Sequence, residues 1–365
     1  MLKVSDKSKV TCPYRLMPET SFWRKSIANE RIGDVDPVVS PKFSISLADR
    51  IVTAGSCFAQ HIARYLQDSG YHYLVVEDMP PFVPENIRST WNYGTFSARY
   101  GNIYTTRQLV QLLQRAYGTF IPLEDFWQEK DHFIDPFRPY IQPKGFPSVS
   151  HLRRDREQHL RAVRRLVETA NVFIFTLGLT EAWRDRRDGA VYPVCPGCGV
   201  GRFEGDVHEF KNFSYMEVYA DIAEFLTCLR AVNPLVKVVL TVSPVPLVAT
   251  ASGNHVLSAT TYSKSVLRAV AGAVSEEYDF VEYFPSFEVI SSSYNLGTYY
   301  EDDLRTIKAT GVDHVMRLFL KHYCDRDAAA ARMTTARTRK RSSSGEISGQ
   351  LRVICEEEKL DAALG

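Results

Sequence analysis

Short runs that are apolar almost throughout alternate along this chain with longer stretches whose apolar residues recur every three to four positions. "DRIVTAGS" is the first such run, and "FAQHIARYLQDSG" after it is apolar at Phe58, Ile62, Tyr65 and Leu66 before closing at Gly70, a residue type that ends helices. The pair predicts a strand, a tight turn and a helix. The apolar run Val172–Leu177 in "NVFIFTLGL" reads as a central parallel strand, buried on both faces. "VKVVLTVSPVPL" is a β-branched strand stopped by prolines, and "YDFVEYFPSFEVI" begins as a strand. Helices are predicted over Thr106–Tyr117, "HLRRDREQHLRAVRRLVETA", Tyr215–Val232, "TYSKSVLRAVAGAVSEE" and residues 310–323. Continuously apolar strands alternating with helices predict an α/β fold with a doubly wound parallel sheet, in which ligands bind outside the carboxyl ends of the strands.

The rest of the chain is less periodic. Residues 1–48 mix Pro, Trp and charge and read as an irregular N-terminal arm. Around residues 80–150 a long aromatic, Pro-rich stretch surrounds the helix at 106–117, and it is expected to cover the domain as a pocket wall rather than to form regular sheet. From residue 325, "DRDAAAARMTTARTRKRSSSGEISGQ" is too poor in apolar residues to form a core and reads as a disordered polar tail. The main domain is therefore expected over residues 49–324, one elaborated unit, as a length of 365 residues suggests.

Charge and cysteine content narrow the function classes. Lys plus Arg number 44 against 43 acidic residues, a net charge of +1 that gives no global reason for nucleic acid or an anionic membrane as partner. No run approaches the roughly eighteen apolar residues of a spanning helix, and the first thirty residues lack an apolar leader core. No membrane span and a cytoplasmic location are expected. Seven scattered cysteines, an odd number, read as reduced thiols.

The predicted strand ends collect polar groups: Gly55, Ser56 and Cys57; Gly178, Leu179, Thr180 and Glu181; Ser243; then Ser286 and Glu288. A serine between a strand and a helix can serve as a nucleophile, because backbone N–H groups of the turn stabilise an oxyanion and Gly55 lets a substrate approach the backbone. It can equally be a helix N-cap. Cys57 is a competing nucleophile at the helix N-terminus, or a small core residue.

These residues carry a resemblance. "GSCFA" (55–59), "GNIYT" (101–105), "TLGLTEAW" (176–183), "LTVSPVPL" (240–247), "YSKSVLR" (262–268) and "YFPSFE" (283–288) together resemble the GSCFA-domain family, grouped with the SGNH/GDSL hydrolases, over roughly residues 48–323. The resemblance implies a three-layer, flavodoxin-like sheet and a serine esterase or O-acyltransferase acting on acyl groups of carbohydrates, with Ser56 as nucleophile. It further implies an oxyanion glycine at Gly94 or Gly101, and it puts Thr180 where the superfamily's Gly-x-Asn-Asp block has asparagine. The superfamily's Asp-x-x-His reads here Asp303-Leu304-Arg305-Thr306, without the histidine. A base for Ser56 is then sought in His314, eleven residues after Asp303, with His255 and Glu181 as further candidates, and Asp303 as the residue orienting it.

Other clusters point less far. Cys195-Pro-Gly-Cys198 has a zinc-knuckle spacing without a second pair, and "GCGVGRFEG" neither follows a clear strand nor opens a helix, so no metal and no dinucleotide cofactor are expected. Trp91, Tyr93, Tyr100, Tyr104, Phe126, Trp127 and Trp183 have faces suited to stacking on sugar rings, or to packing. Because the Asp-x-x-His is incomplete, the alternative is a catalytically inactive protein that keeps the fold and binds a glycan or a partner protein.

Overall fold

The computed structural model describes residues 12–324; the tail expected from residue 325 lies outside the described residues. Strand β1 (Ile51–Gly55) runs into α1 (Ala59–Asp68), followed by α2 (Glu85–Thr90), α3 (Thr106–Tyr117), β2 (Trp127–Glu129), β3 (His132–Ile134) and α4 (Val149–Thr169). Then come β4 (Val172–Leu177), β5 (Glu181–Asp185), β6 (Val191–Tyr192), β7 (His208–Asn212), α5 (Tyr215–Val232), β8 (Lys237–Val242), α6 (Val256–Glu277), β9 (Val281–Tyr283), α7 (Ser286–Ser291) and α8 (Ala309–Tyr323). No helix among these is long and apolar enough to cross a membrane.

Four strands form a parallel sheet in the order β1-β4-β8-β9, with Ile51 level with Val172 and Val172 level with Lys237. Successive side chains of a strand point to opposite faces, so each strand feeds two cores. Val52, Ala54, Phe173, Phe175, Val238 and Leu240 pack with residues of α3, α4, α5 and α6. Ile51, Val172, Ile174 and Val239 pack with residues of α1, α7 and α8. Helices thus flank both faces. On the outer edge of β1, Tyr73 forms a single parallel bridge to Ile51, and the Ile51 N–H donates to the His72 carbonyl at 2.9 Å. The chain leaves β1 across one face through α1 and reaches β4 across the other through α3 and α4. The carboxyl ends of β1 and β4 are therefore where the winding reverses, the place where such sheets open a crevice.

Local sequence accounts for the helix boundaries. Thr105 caps α3 in a box with Gln108, and Gly118 ends it at φ +75°, in the left-handed region that glycine adopts without strain. Ser214 and Glu217 cap α5 in the same way.

Two small sheets differ from the expectation. Within the cover, Trp127 pairs with Ile134 and Glu129 with His132 around Lys130 and Asp131, a hairpin rather than irregular chain. Its strands are three residues each, too short for an alternating pattern to stand out among the surrounding prolines and aromatics. Strands β6, β5 and β7 form an antiparallel sheet directly after β4, with Trp183 opposite both Tyr192 and Phe210 and Arg184 ion-paired to Glu209 at 2.6 Å. The N-terminal arm is built of short turns and lies along α8 and β9: Ile45 bridges Cys324, and Lys42 Nζ donates to the carbonyls of Tyr278 and Val281 at 3.1 and 2.9 Å.

A buried ionic network fastens the cover to α4. Arg138 pairs with Asp135 at 3.0 Å and with Asp155 at 2.8 Å, and Arg99 reaches Asp155 at 3.0 Å and the Ile141 carbonyl at 3.1 Å. Nearby, Glu77 accepts from the Arg99 N–H at 2.8 Å and lies 2.7 Å from His159 Nδ1. Burial opposes ionisation of Glu77, but His159, Arg138 and the Arg99 N–H outweigh it and bring its pKa down to about 2. Burial and the Arg138 charge lower the pKa of His159. His159 donates from Nδ1 to Glu77, and its Nε2 has no partner among the described residues. Both groups ionise at lower pH in the folded protein than in the unfolded chain, where the values are near ~6.5 for His and ~4.3 for Glu. Their stabilisation is complete above those values and lost as pH falls. Thermal melts should show the melting temperature declining below about pH 6 and continuing down towards pH ~2, and Glu77→Gln should flatten the lower part of that decline.

Candidate functional site

The turn after β1 is dictated by Gly55. Its φ is +134°, and a Cβ there would lie 2.3 Å from the Thr176 carbonyl oxygen, so only glycine lets β1 run this close to β4. Ser56 follows, with its N–H on the Thr176 carbonyl at 3.2 Å. Ser56 is 3% exposed, and its Oγ has no hydrogen-bond partner among the described residues. The start of α1 is satisfied by the backbone instead: the Ala59 N–H donates to the Ser56 carbonyl at 2.9 Å. Ser56 is therefore not a side-chain helix cap.

The "GNIYT" segment crosses both strand ends. The Ile103 N–H donates to the Gly55 carbonyl at 2.8 Å, and the Tyr104 carbonyl accepts from the N–H groups of Gly178 and Leu179 at 3.2 and 2.9 Å. Gly178 is hemmed in on both sides: a Cβ added to it would lie 2.9 Å from the Tyr104 carbonyl oxygen and 3.0 Å from the Ser56 Cβ. Around this point lies a buried polar layer. Gln60 donates to Asn102 at 3.1 Å, and Asn102 donates to the Tyr104 hydroxyl at 3.3 Å. Thr176 and Thr180 keep buried hydroxyls with no partner. Helix α6 closes the layer from the side: Ser263 Oγ accepts from the Thr180 N–H at 3.0 Å, and Lys264 Nζ, 3% exposed, donates to the Gly178 carbonyl at 2.7 Å.

The family model described as "GSCFA family" matches residues 50–319. The chain belongs to the GSCFA family. A solved structure titled a "putative platelet activating factor" from Streptococcus pneumoniae is similar at 14% identity and a TM-score of 0.26, covering 42% of this chain and 59% of that one. The chain thus spans about three-fifths of that structure's length. No curated protein matches it.

In this GSCFA chain the residues singled out from the sequence fall into two groups. Ser56, Gly101 and Thr180 lie on the segments that meet at the β1 and β4 ends. The others are engaged elsewhere. His314 is buried in α8, with Nδ1 accepting from the Tyr299 hydroxyl at 2.7 Å and Nε2 donating to the Val35 carbonyl at 2.9 Å. Both ring nitrogens are occupied, and burial lowers its pKa, so His314 is a neutral core histidine that ties the arm to α8. The reason is the helix register: Val312, Val315, Met316 and Phe319 turn into the core, and His314 turns with them. Asp303 is exposed and closes on its own turn, accepting from the Arg305 and Thr306 N–H groups at 2.9 and 2.8 Å and from the Thr306 hydroxyl. Burial works against ionisation of Asp303, but these donors hold its pKa below the usual range. Thr306, three residues on, thus engages Asp303 through both its N–H and its hydroxyl.

His255 is exposed and caps α6, accepting from the Leu257 N–H at 3.2 Å. Glu181 accepts from the Thr250 hydroxyl at 2.7 Å, and burial raises its pKa. Gly94, at φ +76°, stands in a turn with open space around it. The aromatic set is mostly structural. Tyr100 donates to the Thr53 carbonyl, Trp127 donates to Glu124 at 3.1 Å, Tyr93 lies against the Arg99 guanidinium, and Phe126 packs on Phe133. Tyr104 and Trp183 line a pocket of about 260 Å³ that opens beside Leu179.

Lys264, Asn102 and Gln60 were not singled out from the sequence as site residues. Two of them stand in quoted motifs, "YSKSVLR" and "GNIYT", and Lys264 carries a further signal. It occupies a position of the α6 stripe otherwise made of Ala259, Ser263, Leu267, Val270 and Ala271, where a charge is out of place unless it has a partner.

Proposed function

We propose that this GSCFA protein is a serine ester hydrolase or O-acyltransferase on an SGNH-type, flavodoxin-like sheet, with Ser56 as nucleophile and an acylated carbohydrate or glycoconjugate as substrate. The observation that carries the reading is the Ser56 hydroxyl, which is buried, unpartnered and placed where the winding of the sheet reverses. Leaving a buried hydroxyl unsatisfied costs about 1–3 kcal/mol, and such groups concentrate where chemistry uses them. The Tyr73 bridge outside β1 supports the sheet type, because it extends the strand order on the side opposite β4.

In the proposed reaction Ser56 Oγ attacks the ester carbonyl carbon while its proton passes to a base. The tetrahedral oxyanion collapses with departure of the alcohol, which takes up that proton. Water, or an acceptor hydroxyl, then removes the acyl group by the same path. The free Thr180 hydroxyl is the proposed donor to the oxyanion, in place of an asparagine amide. Lys264 is the proposed base: its amine is held on the carbonyl of Gly178, the residue packed against Ser56, without a hydrogen bond to Ser56 Oγ in the resting protein, and serine–lysine pairs do this work on other folds.

Labelling by a fluorophosphonate, together with hydrolysis of a short aryl ester across pH, tests this in the wild type, Lys264→Met and Lys264→Arg. Both variants should lose about 10²–10⁴-fold, because an arginine retains its proton at any of these pH values. Wild-type labelling rates in Lys264→Met would make the lysine a structural tie only. The second reading, a glycan- or protein-binding chain without catalysis, is favoured by the engagement of His314 and Asp303 away from Ser56, and it predicts that the wild type itself resists the probe.

A further inference from the structure

We propose that the pocket beside Tyr104 and Leu179 binds the hydrocarbon chain of a neutral acyl ester, about eight to ten carbon atoms long. The inference rests on the reading of Ser56 as the nucleophile and adds to it the class of acyl group.

Three observations converge. The first is the lining. Leu179, Leu247, Val248, Trp183, Tyr192 and Phe210 make the walls, from the β4 end, the loop after β8 and all three strands of the antiparallel sheet. Apolar walls with few polar groups suit a hydrocarbon ligand. The second is size. An apolar cavity of ~150 Å³ holds a benzene ring, so about 260 Å³ holds roughly ten carbon atoms, far more than an acetyl group fills. The third is charge. Glu181 is the carboxyl in the wall, burial favours its neutral form, and the Thr250 hydroxyl already occupies one of its oxygens. No Lys or Arg is among the lining residues, and the wall thiol of Cys195 is pushed up to about 12 by burial and by Cys198, so it stays protonated. No cationic side chain in the wall neutralises a carboxylate or a phosphate. A free fatty acid or a phosphorylated group would be desolvated without compensation there, whereas an ester would not.

Continuity with the serine comes through the backbone. Tyr104, Leu179 and Leu247 form one apolar cluster that lines part of the pocket. The carbonyl of Tyr104 holds the N–H groups of Gly178 and Leu179, and Gly178 packs on Ser56. A chain seated on Leu179 thus lies one residue from Gly178, the residue that packs on Ser56, and the alcohol half of the ester is assigned to the strand-end side of Leu179.

The test separates binding from turnover. Titration calorimetry of the full chain carrying Ser56→Ala, with methyl octanoate and with sodium octanoate, reads binding without hydrolysis. The neutral ester should bind at least about tenfold more tightly than the anion. Ala249→Phe, which puts a ring into the pocket from a partly exposed loop, should weaken the ester by a similar factor; Val248→Phe replaces it should the first variant not fold. In the wild type, kcat/KM for 4-nitrophenyl octanoate should exceed that for the acetate about tenfold or more, and Ala249→Phe should reverse the order. Binding of methyl octanoate by a wild type that hydrolyses neither ester would uphold the pocket and overturn the role of Ser56. Hydrolysis of the acetate by Ser56, with no binding and no preference for the octanoyl ester, would overturn the pocket alone.

Discussion

Replacing Ser56 by alanine is expected to abolish fluorophosphonate labelling and to reduce ester turnover by at least about 10³-fold, while the melting temperature stays constant or rises. The two halves come from the same geometry. As nucleophile, Oγ supplies the bond that forms, and no neighbouring group in the polar layer replaces it. As a structural group, Oγ contributes no hydrogen bond in the resting protein, so its removal breaks none. It also relieves the cost of a buried, unsatisfied hydroxyl, about 1–3 kcal/mol, offset by a void smaller than a methyl group. Labelling at an unchanged rate in Ser56→Ala would move the reactive centre elsewhere, Cys57 being the next group in the chain. A marked fall in melting temperature would show that the hydroxyl has a structural partner after all. Few substitutions separate activity from stability so cleanly, because most buried polar groups are satisfied and their loss is felt in both.

The largest effect on stability is expected from Asp135→Asn. Asp135 is 1% exposed and accepts from Arg138 Nε and Nη2 at 3.1 and 3.0 Å and from Arg156 Nε at 3.3 Å. Burial would keep this carboxyl protonated, but the Arg156, Arg138 and Arg115 charges around it reverse that and hold its pKa far below the ordinary range. Asparagine keeps the shape and removes the charge. Arg138, itself almost fully buried, is then left to Asp155, a carboxylate about one-fifth exposed, which also serves Arg99. Breaking one partner of a buried pair costs about 3–5 kcal/mol. Chemical denaturation should show a loss of that size with the slope of the transition unchanged. A loss below about 1 kcal/mol would mean that water compensates the network. Because this network joins the cover to α4, limited proteolysis of Asp135→Asn should cut first within residues 80–150.

Much of this architecture could be read from the chain. Val172–Leu177 is apolar at every position but Thr176, and the strand has those bounds. Thr105 with Gln108, and Gly118 beyond, mark both ends of α3. Such signals are local: a run of β-branched residues or a capping box needs no knowledge of the rest of the molecule. The antiparallel sheet of β5, β6 and β7 was not legible, because its strands are two to five residues long, carry charges such as Arg184 and Glu209, and are paired across a long intervening loop. The geometry of the candidate site was legible only in part. Gly55 and Ser56 follow from the strand-turn-helix pattern, whereas the expectation about His314 used nearness in sequence to Asp303 where the orientation of a helix mattered. Lys264 had only its misplaced charge to announce it.

The chain by itself determined the order and kind of the main strands and helices and the two-faced parallel sheet, since these depend on periodicity that neighbouring residues set, whereas the need for glycine at 55 comes from Thr176 on β4. Tertiary structure alone decided that Ser56 Oγ has no partner among the described residues, that Lys264 comes to the Gly178 carbonyl while Tyr299 and Val35 engage His314, and that a largely apolar pocket opens beside Leu179. Those outcomes depend on how α6, α8 and the loop after β8 pack against the strand ends, and packing orients side chains that lie far apart in the sequence, where no local pattern reaches.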